Sequence, residues 1–226
     1  MKASETQFQR VIDATTQFLV PHFQRPYSWT QRQWKTLWDD LEELAGLDAE
    51  PSSTTERPRQ HFIGSIVTMP GESVPEGITK YVLIDGQQRL ATLLILLAAL
   101  RDAARSGQPR LADEIHDLYL SNRHRDGREK YKLLPTQGDG SGENDQSTFI
   151  KIIENQECEH DQPIAKAYRF FRDHLSDIDG ESLQSVKLAI VNRLLLVSIV
   201  LDPGDDPYAI FESLNAKGLP LRAIAP

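Results

Sequence analysis

The sequence predicts an α+β fold, a small mixed sheet with one buried helix at its centre and a mainly helical remainder. Three observations predict it. Short apolar runs bounded by turn residues, Phe62–Thr68, Tyr81–Ile84 and Leu194–Leu201, read as strands. The stretch Leu90–Leu100 is apolar almost all round, which places a helix inside a domain rather than on its surface. Other segments carry apolar residues three and four apart, the spacing of helices with one buried face.

In chain order, residues 1–17 are polar, with Phe8, Val11 and Ile12 suggesting a short helix. Phe18-Leu19-Val20 suits a strand that Pro21 stops. Trp34, Leu37, Trp38, Leu41, Leu44 and Ala45 share one helical face, and Thr30 with Gln33 offers a capping box at its start. Residues 46–60 read as an exposed loop and 70–80 as a second one. Gly64 in the first long strand marks either a bulge or a close backbone approach. Tyr81–Ile84 is expected to run antiparallel to it. After the central helix, Leu111, Ile115, Leu118 and Tyr119 form another, and Tyr131–Leu134 a short strand. Pro135–Gln146 reads as a loop, followed by helices starting near Asp145 or Ser147, at Pro163, and around Leu183–Arg193. Leu194–Leu201 reads as a central strand. Asp206 and Pro207 then provide an N-cap and first-turn pair for a helix stopping at Gly218. The organisation is thus 1–105 as a core, 106–193 as a mainly helical insertion and 194–226 as a strand and helix returning to it.

Composition narrows the function. The 226 residues carry 25 Lys and Arg against 33 Asp and Glu, a net charge of -8, which excludes a surface that binds nucleic acid all over. Any DNA contact must be a local patch, and the best is Arg123, His124, Arg125, Arg128, Lys130 and Lys132. The single cysteine, Cys158, allows no internal disulfide and fits a reducing cytoplasm. The first 20 residues contain no apolar signal segment, and the central apolar helix is too short to span a bilayer.

The chemistry concentrates at Asp85-Gly86-Gln87-Gln88-Arg89, where a strand turns into the central helix. Free backbone N–H groups and the positive end of the helix dipole make such a turn an anion site. Arg89 leans back over those groups and suits a phosphate. Gln87 and Gln88 can orient a ribose, a base edge or a water, and Asp85 can hold a divalent cation such as Mg²⁺. The same spacing also fits plain helix capping, Asp85 as N-cap and Gln88 three residues on. A second loop, Phe23-Gln24-Arg25-Pro26-Tyr27-Ser28-Trp29, is expected to splay its side chains outward, with Tyr27 and Trp29 either stacking on a base or anchoring the next helix.

The DGQQR turn resembles the signature of GmrS-type N-terminal domains, found in GmrSD-like and SspE-like bacterial anti-phage restriction proteins and related to the ParB/sulfiredoxin fold. Residues 21–29, with Gln24-Arg25-Pro26-Tyr27 and Trp29, are similar to that family's QRPYxW segment. Residues 61–67 are similar to its FxGSIV strand, and 211–218 to its FxxLNxxG element. The blocks stand in order from about residue 17 to 222.

The resemblance implies a ParB-like core and hydrolysis of GTP or ATP with Mg²⁺. Asp85, Gln87, Gln88 and Arg89 would be the catalytic group, with Asp85 on the metal. Gly86, Arg25, Asn215 and Lys217 would bind nucleotide, and Glu212 is a weaker candidate base. Modified double-stranded DNA would be sensed by Gln24, Pro26, Tyr27 and Trp29, with Arg123, Arg125 and Arg128 on its backbone. A phosphorothioate is favoured over a modified cytosine, since a soft sulfur suits the apolar surroundings of Pro26, Tyr27 and Trp29. A C-terminal nuclease domain of the same protein is expected beyond this chain, and self-association stays open. The alternative is a nucleotide-switched DNA-binding module that does not turn its nucleotide over.

Overall fold

The computed structural model describes residues 1–12, 15–47, 59–72, 77–136, 144–202 and 204–216, with only the backbone for 214–216. It is a mixed α+β structure. Six strands form one sheet: β1 (Lys2–Gln7), β2 (Thr16–Leu19), β3 (His61–Pro70), β4 (Thr79–Asp85), β5 (Leu133–Leu134) and β6 (Leu194–Val200). Their order is β1-β6-β3-β4-β2-β5. β6 runs antiparallel to β1 and parallel to β3, β3 and β4 are antiparallel, and β2 is parallel to both β4 and β5. Both expectations for these strands hold: β4 pairs antiparallel with β3, and the apolar run of β6 lies inside the sheet.

The helices are α1 (Phe8–Ile12), α2 (Gln31–Ala45), α3 (Gln87–Ala104), α4 (Pro109–Ile115), α5 (Asp145–Ile153), α6 (Pro163–Leu175), α7 (Gly180–Leu188) and α8 (Pro207–Ala216). A turn of π-helix follows α4 at His116–Leu120, another follows α7 at Ala189–Arg193, and a 3-10 turn spans Gly127–Lys130. α3 is the central rod: every residue from Leu90 to Arg101 is buried. It packs against α4, α5, α6 and α7 as well as β3.

Strand alternation feeds two cores. Ile66 and Leu83 join the large core around α3, while their neighbours Val67 and Ile84 meet Leu201 in a small one, with Ile210 and Phe211 of α8 against it. α8 therefore covers the sheet opposite α3, which brings Phe211 to the edge of the β4–α3 turn.

Local signals are obeyed with small shifts. Gln33 Oε1 accepts from the Thr30 amide at 3.0 Å, and Gly46, in the left-handed region at φ 71°, ends α2. Asn144, rather than Asp145 or Ser147, is the N-cap of α5, accepting from the Ser147 amide. Asp206 Oδ1 accepts from Tyr208 N at 2.9 Å and caps α8; its expected stop at Gly218 lies outside the described residues. One strand departs from the sequence reading. Residues 2–7 form β1, because KASETQ is an edge strand whose side chains are mostly exposed, and no apolar alternation announces it.

One charged residue sits inside the helical layer. Arg101 is only 1% exposed, and its guanidinium is fully engaged. It chelates Asp102 through two 2.8 Å bonds and donates to the carbonyls of Ile152 and Ile153, closing the C-terminal end of α5.

Candidate functional site

Asp85 ends β4 and the chain turns at Gly86, whose φ of 92° lies in the region glycine favours. A β-carbon on Gly86 would stand 2.9 Å from the Ser65 carbonyl oxygen, so the turn also needs glycine to lie against β3. Gly86, not Asp85, is the N-cap of α3. This removes the capping-box arrangement that the Asp85–Gln88 spacing allowed. Gly86 has no side chain with which to cap. The first helical bond runs from Leu90 N to the Gly86 carbonyl at 2.9 Å. The amides of Gln87, Gln88 and Arg89 precede it, and helix geometry gives them no partner within α3.

The two polar loops are stitched together by side-chain amides. Gln88 is buried; its Oε1 accepts from Ser28 N at 2.7 Å and its Nε2 donates to the Pro26 carbonyl at 3.1 Å. Gln87 Nε2 donates to the Arg25 carbonyl at 2.8 Å. From the other side, Gln24 Nε2 donates to the carbonyls of Leu83 and Ile84 at the end of β4. Residues 24–28 are thus held by both members of the glutamine pair and return one amide of their own.

Gln24, expected to splay outward, points inward, and Tyr27 takes the anchoring alternative that the sequence left open. Gln24 is 3% exposed and Tyr27 is 5% exposed. The Tyr27 hydroxyl pairs with Thr92 Oγ1 at 2.7 Å and accepts from Trp34 Nε1 at 2.8 Å, and its backbone N–H donates to Asp145. Burial pushes the phenol well above its ordinary value and also raises the Asp145 carboxyl. Tyr27 therefore anchors the loop on α2 and α3 and presents no face to DNA. Arg25 and Pro26 stay exposed and Trp29 is half-buried.

Arg89 lies across β3, donating to the Ser65 carbonyl and resting on Gly64. Gly64 serves both readings: it has φ 111°, it stands where the β3–β6 register slips between Phe62 and Ser65, and its bare α-carbon admits the guanidinium. Burial lowers the guanidinium's proton affinity and the nearby Asp85 opposes that. At protein pH it remains a cation.

A hollow of about 380 Å³ opens on the turn. Asp85, Gly86, Gln87, Gln88 and Arg89 line it together with Gln24, Arg25 and Trp29. Phe23 and Phe211 also line it, with ring centroids 5.7 Å apart. The volume falls within the range of small-molecule sites. A second hollow of about 650 Å³ adjoins it between α2 and β3, and Trp29 and Arg89 belong to both. The first brings together two guanidiniums, one carboxylate and the N-terminal end of a helix, groups of the kind that can hold an anion. Among the described residues no group of three His, Cys, Asp or Glu side chains could hold a metal by itself. Asp85 fits Mg²⁺ only as one ligand beside phosphate oxygens and water, the usual Mg²⁺ pattern.

The basic cluster lies elsewhere. Gln17 of β2 donates to the Arg128 carbonyl, Lys80 pairs with Glu129 at 2.8 Å, and Arg123 pairs with Asp117 at 3.3 Å. Lys80 is near the start of β4, five residues before Asp85, or roughly 16 Å along a strand. Arg123, Arg125 and Arg128 line neither hollow. Asn215 belongs to the last turn of α8, and Lys217 lies outside the described residues. Phe23 and Phe211 belong to two segments that the sequence singles out, but without a role of their own, and Asp40, whose carboxylate pairs with His61 at 3.1 Å in the larger hollow, is not among the sequence candidates.

A family model described as the GmrSD restriction endonuclease N-terminal domain matches residues 8–224. No curated protein matches the chain. No helix among the described residues is long and apolar enough to cross a membrane.

Proposed function

Because the chain belongs to the family of GmrSD restriction endonuclease N-terminal domains, whose members act in DNA restriction, we propose that it is a nucleoside-triphosphate-hydrolysing sensor of modified DNA. The observation that carries this reading is the hollow at the start of α3. Arg89 and the first-turn amides would take the phosphates, with Arg25, which lines the same hollow, as a second cation. Asp85 would share a Mg²⁺ with phosphate oxygens. Of the two glutamines, only Gln87 keeps a side-chain carbonyl with no partner among the described residues, so Gln87 is the one to orient an attacking water. Gln88 holds the loop instead. DNA would be met by Arg25, Pro26 and the open side of Trp29, a phosphorothioate or a modified cytosine being the feature sensed.

Turnover of GTP and ATP by wild type and Arg89→Ala, with and without phosphorothioate or modified-cytosine duplexes, tests the proposal. Loss of turnover in the variant supports it. Equal turnover in both proteins overturns the role of the turn.

The engagement of three of the four glutamine amide groups on backbone favours a second reading, a nucleotide-driven switch that holds its ligand without hydrolysis. Nucleotide-dependent thermal stabilisation with no phosphate release distinguishes it.

A further inference from the structure

Among the described residues, the backbone of residues 25–28 is held from two places. Gln87 and Gln88 of α3 take the Arg25 and Pro26 carbonyls and the Ser28 amide. The Tyr27 amide, between them, is held from the helical layer instead, by Asp145 Oδ2 in the first turn of α5. Asp145 is 8% exposed, and it does not line the hollow at the start of α3. With Tyr27, Gln87 and Gln88 it walls a separate chamber of about 10 Å³. α5 is braced at both ends of its length. Gln146 Nε2 donates to the Pro135 carbonyl at 2.8 Å, and Arg101 holds the carbonyls at the other end.

We propose that Asp145 is a positioning residue for the hollow, fixing the loop from α5 so that Arg25 stands where a phosphate can meet it. The assignment rests on the triphosphate reading and deepens it. Arg25 lines the hollow, and its guanidinium has no partner among the described residues, so its place is set by the backbone that carries it. The sign of the effect separates positioning from charge. If only the charge of Asp145 counted, removing a carboxylate near a phosphate site would tighten phosphate binding. Positioning predicts the reverse, because Asp145→Ala leaves the buried Tyr27 N–H unpaired and frees the loop. Asparagine keeps an acceptor oxygen and carries no charge.

The test uses the full chain and calorimetric titration, with Mg²⁺, of inorganic tripolyphosphate and of non-hydrolysable GTP and ATP analogues. Asp145→Ala is expected to weaken all three by about 10-fold, the scale of one buried hydrogen bond, because Arg25 acts on the phosphates they share. Asp145→Asn should stay within about twofold of wild type. Arg25→Ala should weaken binding to a similar extent. The double variant Arg25→Ala/Asp145→Ala should bind no worse than either single one, the mark of one residue acting through the other. Gln146→Ala, which removes a buried bond between the same helix and Pro135, should lower Tm and leave affinity alone. Amide exchange on wild type needs no substitution and covers the case of an alanine variant that does not fold. Saturating tripolyphosphate should slow exchange of Tyr27 N–H, since a contact that favours the ligand is tightened by it in return. Unchanged affinity in Asp145→Ala beside a weakened Arg25→Ala, losses that add in the double variant, equal weakening by Gln146→Ala, or a Tyr27 amide indifferent to ligand would each overturn the assignment and leave the triphosphate reading standing. A wild type that binds none of the three ligands would bring down that reading and this assignment with it.

Discussion

The guanidinium of Arg89 lies against the α-carbon of Gly64, so close that a β-carbon there would stand 2.8 Å from Arg89 Cζ. The contact puts a residue of β3 in control of a side chain on α3. Gly64→Ala must push Arg89 off Ser65 or distort β3, and the φ of 111° adds strain of its own. Nucleotide turnover is expected to fall by about 10- to 100-fold, the scale of one charged hydrogen bond. Arg89→Ala should fall at least as far. Steady-state phosphate release measures both, and wild-type rates in Gly64→Ala would break the link.

Gln88 is predicted to be a structural clamp. Gln88→Ala removes two bonds and leaves the Ser28 amide and the Pro26 carbonyl without their partner. A loss of about 2 kcal/mol follows from such unpaired groups. For a chain of this size that is roughly 4–8 °C in Tm. Gln87→Ala should cost far less stability and more turnover. Thermal melts and rates on the two variants separate the roles.

Tyr27→Phe deletes the hydroxyl that Trp34 Nε1 donates to and that pairs with Thr92. About 1–3 kcal/mol of stability should be lost. Stimulation by modified DNA should survive, whereas Trp29→Ala and Arg25→Ala should weaken it. Urea unfolding and DNA-dependent turnover are the measurements; a Tyr27→Phe protein of wild-type stability that ignores DNA would reverse the assignment.

Charge reversal at Arg123 and Arg128 should leave basal turnover within about twofold, since a screened surface charge a strand's length away acts weakly. If these residues track a DNA backbone, the salt dependence of DNA binding will flatten by about one phosphate contact for each charge removed. Titrations at several salt concentrations read this directly.

His116 sets a pH dependence. Burial first, then the Arg101 guanidinium, whose nitrogen lies 3.4 Å from Nδ1, holds the imidazole below its ordinary value near 6.5. The unfolded chain therefore binds the proton more readily than the folded one. Its contribution to stability is present above pH 6.5 and is lost as pH falls through the lower folded value. His116→Gln should flatten the change in Tm between pH 7.5 and 5.5; an unchanged slope would assign the acid sensitivity to other groups.

Periodicity made much of this fold legible. The apolar run at Leu90–Leu100 announced the rod, and alternation or continuous burial announced β3, β4 and β6. Thr30, Pro163 and Asp206 marked helix starts correctly because caps are local chemistry. The turn itself was visible as a polar knot between two apolar elements. What the sequence could not disclose was non-local. β1 has no apolar signature, and its partner β6 is nearly 200 residues away. Gln24, Gln88 and Tyr27 look like a polar surface loop until tertiary structure supplies the carbonyls and the Trp34 indole that satisfy them. Asp40 and His61 meet only because α2 packs beside β3.

The placement of β6 between β1 and β3 also dictates when the protein can mature. During translation, β1 and β3 emerge from the ribosome long before residues 194–200, the segment both must pair with. The nascent chain can assemble helices early, but its sheet stays divided until that late segment arrives. Gly64 and Ser65 sit on β3, so the strand that seats Arg89 gains its second sheet neighbour only when residues 194–200 have been made, and a chain stalled before them would leave that seat half-framed.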